Sequence, residues 1–295
     1  MIDKGGSADM AHLNVSEFFT GTATDDMYVQ QWSLAEPSAD HVERRIVMVH
    51  GGAHSGVFWT MSADGGKPGW AQYFAERGWT VYVVDWAGVG RSGRAADYLT
   101  MTHDRVEDPI IALLEQVGPS VLMGHSMGGG IVIKVTSRRP ELVRALIPLA
   151  PAPIANSETE LPNVRLQPLD RPVRITVEDA KIRFTNGARF PQETFEHYYR
   201  SLVPYSPNIR NAAVRANDGF RLHDVSWTAR VPILFVAAEH DQSTVTEPSA
   251  RFLGVPETLL GRDWGLHGYA HGFPLEEGNR AIADRILLWL DGLPD

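Results

Sequence analysis

The chain has 295 residues and no cysteine. Disulfide staples, a thiolate nucleophile and cysteine-ligated metal are therefore excluded for this sequence. It has no run of lysine and arginine, and its formal net charge is −9. Nucleic acid and anionic membrane surfaces repel such an excess of acid, so neither is expected as a partner. No apolar stretch is long enough to cross a bilayer. The opening residues, MIDKGGSADMAHLNV, lack a positive patch followed by an apolar core. No secretory signal is read there, and a cytoplasmic location is expected. The metalloprotease pattern HExxH is missing too. His50 and His54 are four apart but lie in a glycine loop rather than on a helix face. No catalytic metal and no other cofactor is expected. What remains, 43% hydrophobic and 21% charged residues, is the composition of an ordinary globular protein.

The chain is organised around residues 121–134, VLMGHSMGGGIVIK. An apolar run, a glycine-flanked serine and an amphipathic stretch succeed one another, as in strand, tight turn and helix. Gly124-His125-Ser126-Met127-Gly128 is a GxSxG nucleophile elbow in that context. A serine at so sharp a turn needs neighbours without side chains two residues to either side, which Gly124 and Gly128 supply. The turn lifts the Ser126 hydroxyl clear of the sheet and points a helix N-terminus at any negative charge that forms beside it.

Around the elbow the pattern alternates. Strands are expected at 27–34, 43–49, 79–86 and 143–149, and helices at 69–76 and 103–117. Residues 1–12 read as a loose tail, 36–40 as a turn and 61–68 as a loop. The glycines of 88–93 lack the GxGxxG spacing and read as a turn beside the cleft. Alternation of this kind predicts a mostly parallel sheet with helices on both faces. From 151 to 230 the chain becomes proline-spotted, with one helix expected at 192–202 and no buried strand. So long a segment inside a compact domain predicts an inserted cap. The expected organisation is a core of 1–150 and 231–295 divided by a cap of 151–230. A strand at 231–238, a short helix at 248–253, a weak strand at 257–260 and a final helix at 279–290 complete it.

Serine is a poor nucleophile without an adjacent base, and the base needs an orienting acid. In a parallel sheet both come from loops after later strands. Asp241 comes after a buried strand, and His271 lies before the last helix. Glu239 and Asp263 compete for the acid, and His267 for the base. The N–H of Met127 and one from the 51–53 loop, Gly52 ahead of Ala53, are the expected oxyanion donors.

Together these segments resemble the α/β-hydrolase superfamily. The resemblance rests on HGG at 50–52, DWAGVGRSG at 85–93, GHSMGG at 124–129, PILFVAAEHD at 232–241 and AHGFPLEE at 270–277. The stretch Asp64-Gly65-Gly66-Lys67-Pro68-Gly69-Trp70-Ala71 resembles a subgroup of bacterial carboxylesterases. Some similar esterases take a glutamate from the end of the sixth strand. Here that place reads Leu149-Ala150-Pro151-Ala152, and Glu158 is too far along, which favours Asp241. The resemblance implies a serine esterase acting on a small apolar ester. Lactone or carbon–carbon bond hydrolysis with the same residues is the alternative. A non-catalytic binding member is the third reading, disfavoured because serine and histidine are both present. Phe184, Phe190, Phe195, Tyr198 and Tyr199 would line the cap's pocket or pack it onto the core.

Overall fold

The computed structural model describes residues 12–22, 25–36, 44–61, 67–94, 96–154, 166–214, 221–222 and 224–294. Nearly all of the tail read at 1–12, most of the turn at 36–40, most of the loop at 61–68 and Glu158 lie outside them. In chain order come β1 (Leu13–Gly21), β2 (Asp26–Leu34), β3 (Arg44–Val49), α1 (Val57–Thr60), α2 (Trp70–Ala75) and β4 (Trp79–Asp85). Next are α3 (Asp104–Val117), β5 (Ser120–His125), α4 (Met127–Arg138) and β6 (Val143–Leu149). Then come α5 (Val177–Arg183), α6 (Phe195–Ser201), α7 (Pro207–Ala212), β7 (Phe235–Ala237), α8 (Glu247–Leu253), β8 (Glu257–Leu259), α9 (Leu260–Trp264) and α10 (Asn279–Asp291).

These strands form one 8-stranded sheet in the order β1-β2-β4-β3-β5-β6-β7-β8. The pairs β1/β2 and β2/β4 are antiparallel, and the rest are parallel. Every residue of β4 and β5 is buried, which suits a sheet covered on both sides. The crossover from β3 to β4 runs one way along the sheet, and those from β4 to β5 and β5 to β6 run the other. Right-handed connections then put α2 on one face and α3 with α4 on the opposite face. α10 joins the α2 face: Trp70 Nε1 donates to Asn279 Oδ1 at 2.9 Å, and the Tyr73 hydroxyl to Asp284 at 2.7 Å.

The reversal of winding is what places the site. Where neighbouring crossovers diverge, the loops after the strands leave a crevice at the carboxyl edge. The loop after β3, carrying Gly51 and Gly52, and the turn after β5, carrying Ser126, flank that crevice. The two approach so closely that a Cβ on Gly128 would sit 2.3 Å from the His50 carbonyl oxygen. A Cβ on Gly124 would sit 2.3 Å from the Gly128 oxygen. Both are shorter than any tolerated contact, so the two flanking glycines of the elbow are steric requirements.

Several elements depart from the sequence expectations. β1 was not expected; none of its residues is buried, and it is held by its ladder to β2. The strand expected at 231–238 narrows to Phe235–Ala237, preceded by a single bridge at Ile233. Pro232 has no N–H to give the ladder, which ends regular pairing there. α5 and α7 were also not expected. Each is capped by a hydroxyl, Thr176 accepting from Asp179 N and Ser206 from Ile209 N.

Candidate active site

Ser126 holds φ 55° and ψ −121°, a conformation rare for a residue with a side chain. Such geometry costs of order 1–3 kcal/mol and persists only where the surroundings over-determine it. Here they do. Ser126 N–H donates to the Leu149 oxygen at 2.9 Å, and the Ser126 carbonyl accepts from Ala152 N at 2.8 Å and Gly130 N at 3.2 Å. The end of β6 therefore clamps the elbow from both sides. The segment 149–152, which carries no carboxylate, serves as that clamp.

The structure brings Ser126, His271 and Asp241 together. His271 Nε2 lies 3.0 Å from Ser126 Oγ, and His271 Nδ1 lies 2.8 Å from Asp241 Oδ2. The His271 and Asp241 side chains are 1% and 4% exposed. A carboxylate on Nδ1 fixes that nitrogen as the donor, which leaves Nε2 free to accept the serine proton. Asp241 in turn is held by Ser243 and Thr244. Its Oδ1 accepts from Ser243 N at 2.6 Å and Thr244 N at 3.1 Å, and its Oδ2 from the Thr244 hydroxyl at 2.6 Å. Burial pushes the Asp241 carboxyl up. The positive charge of His271 and these hydrogen bonds outweigh that push and hold it below the usual range.

The competing residues stand elsewhere. Glu239 accepts from Arg262 N at 2.7 Å, and Asp263 accepts from Leu259 N at 2.8 Å and pairs with Arg262. His267 is exposed and accepts, through its carbonyl, from Arg189 at 2.6 Å. Each belongs to the β8–α9 edge, away from Ser126.

The loop that carries the expected oxyanion donor Gly52 is aligned by buried histidines to which the sequence alone assigns no role. His50 Nδ1 donates to the Gly51 carbonyl and His54 Nδ1 to the Gly52 carbonyl, each at 2.8 Å. In a trans peptide the N–H points opposite to the carbonyl, so both planes of the loop are fixed. Among the described residues Gly52 N–H and Met127 N–H make no backbone hydrogen bond. Burial lowers both histidines, His54 to about 3, so each is a neutral donor–acceptor. His54 Nε2 then accepts from the Tyr198 hydroxyl at 2.8 Å.

A cavity of about 350 Å³ opens onto Ser126, lined among others by Gly52, Met127, Phe184, Tyr205, Arg210 and Arg183. Of the five aromatics expected there, only Phe184 lines it. Phe190, Phe195, Tyr198 and Tyr199 pack in the hydrophobic core or against it. Tyr205, Arg183 and Arg210 carried no sequence signal for this place.

A sequence profile of the serine aminopeptidase S33 family matches residues 40–257. A probable secreted lipase from a fungal species is 22% identical over 339 aligned positions, 93% of this chain and 89% of that protein. A monoacylglycerol lipase of Mycolicibacterium smegmatis is 34% identical over 113 residues, 36% of this chain and 37% of the lipase. The naproxen esterase of Bacillus subtilis shares the fold with a TM-score of 0.61 at 17% identity, over 95% of this chain and 93% of that one. The 2-hydroxy-6-oxo-6-phenylhexa-2,4-dienoate hydrolase of a Rhodococcus species does so at 0.64 and 15%, over 95% and 100%. Among the described residues no helix is long and apolar enough to cross a membrane. With the profile spanning most of its length and its fold shared with solved hydrolases, the chain belongs to the serine aminopeptidase S33 family of the α/β-hydrolase superfamily.

Proposed function

We propose that the protein is a serine carboxylic ester hydrolase that works through an acyl-enzyme on Ser126. The observation that carries this reading is the unbroken line from Asp241 through His271 to Ser126 Oγ, at 2.8 and 3.0 Å, beside the cavity. His271 Nε2 takes the hydroxyl proton as Ser126 Oγ attacks the ester carbonyl. The carbonyl oxygen becomes an oxyanion between Met127 N–H and Gly52 N–H. Donors placed for that charge are each worth about 3 kcal/mol in other hydrolases. The tetrahedral centre collapses, and the leaving alcohol takes the proton from His271. Water then attacks the acyl carbon as His271 removes its proton; the acyl–Oγ bond breaks, His271 returns the proton to Ser126 Oγ, and the acid is released. Asp241 stabilises the histidine cation in both halves of the cycle.

In this reading residues 151–230 form a cap over the site. Phe184, Tyr205 and Arg210, all from that segment, line the same cavity as Ser126, which supports it. The substrate is a small-molecule ester.

A fluorophosphonate probe should label Ser126, read by mass spectrometry. The substitution Ser126→Ala should abolish hydrolysis of 4-nitrophenyl butyrate. A panel of esters, lactones and β-diketones separates ester cleavage from carbon–carbon cleavage. Full activity of Ser126→Ala on the ester, or turnover of the β-diketone alone, would overturn the proposal.

A further inference from the structure

The cavity beside Ser126 carries a charge that ester cleavage does not use. Arg183, the last residue of α5, and Arg210, in α7, both line it. The whole chain is acidic, at −9, so two guanidinium groups in one cavity are a local reversal of sign. Arg210 is largely withdrawn from solvent, and its buried Nη1 has no hydrogen-bond partner among the described residues. The groups that act on it are the Tyr205 hydroxyl and the second positive charge of Arg183. Burial, ahead of either, holds its pKa below the usual range. The carboxylate in the cavity wall, Asp241, already takes Ser243, Thr244 and His271 on its two oxygens.

A guanidinium nitrogen buried without an acceptor loses the hydrogen bond it had in water, a penalty larger than for a neutral group. Placing a like charge beside it adds to that penalty. A structure that retains both has something to gain when an anion arrives. A guanidinium also presents a planar fork that matches a carboxylate with two parallel N–H···O bonds.

The placement sets the distance. Tyr205 is tied to the rest of the segment by hydrogen bonds with Val173 in both directions, at 2.9 and 3.1 Å. Its ring lies against the oxyanion loop: a Cβ on Gly52 would be 3.2 Å from Tyr205 Cε2. That end of the ring carries the hydroxyl, which accepts from Arg210. The Tyr205 hydroxyl thus stands between Gly52 and Arg210, so a short alkyl linker suffices to join the reacting carbonyl to the guanidinium.

We propose that Arg210, with Arg183 beside it, binds a carboxylate on the substrate, so that the preferred esters are anionic, such as half-esters of short dicarboxylic acids. This rests on the serine-esterase reading above. It adds a specificity determinant in the wall of the cavity that opens onto Ser126.

The test compares kcat/KM for matched esters. Mono-4-nitrophenyl glutarate against 4-nitrophenyl valerate places the carboxylate on the acyl side. 4-Acetoxybenzoate against phenyl acetate places it on the alcohol side. In one of these pairs the wild-type protein should prefer the anion by at least tenfold. Arg210→Met should lower that anionic-to-neutral ratio about 10- to 100-fold, as loss of a charged hydrogen bond predicts. Arg183→Met should lower it in the same direction by less. Raising the salt concentration should shrink the wild-type ratio. Glutarate should also bind to Ser126→Ala, measured by calorimetry, and more weakly once Arg210→Met is added; that arm needs no catalysis. If Arg210→Met does not fold, the wild-type ratios and glutarate binding decide. A wild-type ratio below tenfold in both pairs, or glutarate binding unchanged by Arg210→Met, overturns the proposal. If Ser126→Ala abolishes turnover in that case, the serine reading stands while the arginine proposal falls.

Discussion

His125 Nε2 donates to the backbone carbonyl of His271 across 2.8 Å, inside the protein. The two rings lie 4.7 Å apart. Because Nε2 faces a carbonyl, it carries the proton, and the buried His125 Nδ1 has no partner among the described residues. Burial, and then the charge of His271, hold His125 well below its ordinary pKa. A neutral ring next to the candidate catalytic serine thus fixes the loop that delivers the candidate base.

Replacing it should therefore harm both stability and rate. His125→Phe keeps the stack on Phe58, at 4.7 Å, but leaves the His271 carbonyl buried without a donor. The loss should be about 1–3 kcal/mol, read as a lower urea midpoint with an unchanged slope. The kcat for 4-nitrophenyl butyrate should fall about tenfold, with KM moving less. An unchanged kcat would mean that this carbonyl contact does not position His271.

Asp241→Asn should be far more severe for turnover than for folding. The amide oxygen would accept from Ser243 and Thr244 N–H, as Oδ1 does now. The amide NH2 would then face His271 Nδ1 and force that nitrogen to be the acceptor. Nε2 would carry hydrogen toward Ser126 and could no longer take its proton. Loss of the correct tautomer costs about 10⁴ in kcat in comparable triads. Steady-state rates at neutral pH check this. A loss under tenfold would show that Asp241 is not the orienting acid.

Much of this site is legible in the sequence. Glycines 124 and 128 announce a turn that only their bareness allows, and the apolar runs of β3 to β6 announce strands buried on both faces. Asp241 and His271 are indicated by chain order. The rest depends on contacts between segments far apart in sequence. β1 has no buried face to betray it, only its pairing with β2. Arg183 and Arg210 sit on short helices whose sequences read as solvent-facing, and only folding turns them inward. His54 is, in the sequence, one of several histidines. Its role depends on Tyr198, 144 residues away. Ser243 and Thr244 were the missed signal that could have been read, since an aspartate with hydroxyl residues just beyond it is a local turn motif.

Tyr198→Phe tests the contact between the 151–230 segment and the loop 50–54 that carries the candidate oxyanion donor. The hydroxyl is donated to His54 Nε2, and His54 Nδ1 holds the Gly52 carbonyl. Removing it leaves a buried ring nitrogen unpaired, at about 1–3 kcal/mol. It also loosens the histidine that holds the Gly52–Ala53 peptide, the one next to the expected donor Gly52 N–H. Thermal unfolding should occur at a lower temperature, and kcat should fall severalfold while fluorophosphonate labelling of Ser126 persists. A melting temperature equal to wild type would show that the bond contributes nothing.

Glu276 gives the fold a pH dependence of unusual sign. It is fully buried, and its carboxylate accepts from Ala270 N, at 3.3 Å to each oxygen, just ahead of His271 in the chain. Burial raises its pKa from 4.5 to about 7, with the Ala270 bond and Arg189 opposing. Folding therefore favours the protonated acid. Between pH 4.5 and 7 the folded state binds more protons than the unfolded chain, so stability falls as pH rises through that window and levels off above it. The slope approaches about 1.4 kcal/mol per pH unit at most. Glu276→Gln keeps an oxygen for Ala270 N–H without the charge and should remove this contribution. Urea unfolding of both proteins at about pH 5, 6, 7 and 8 should show wild type losing stability relative to the variant up to about pH 7, then holding a constant difference. A difference independent of pH across the series would mean that Glu276 is ionised throughout, and that the histidine loop is held by a charge rather than by a neutral acid.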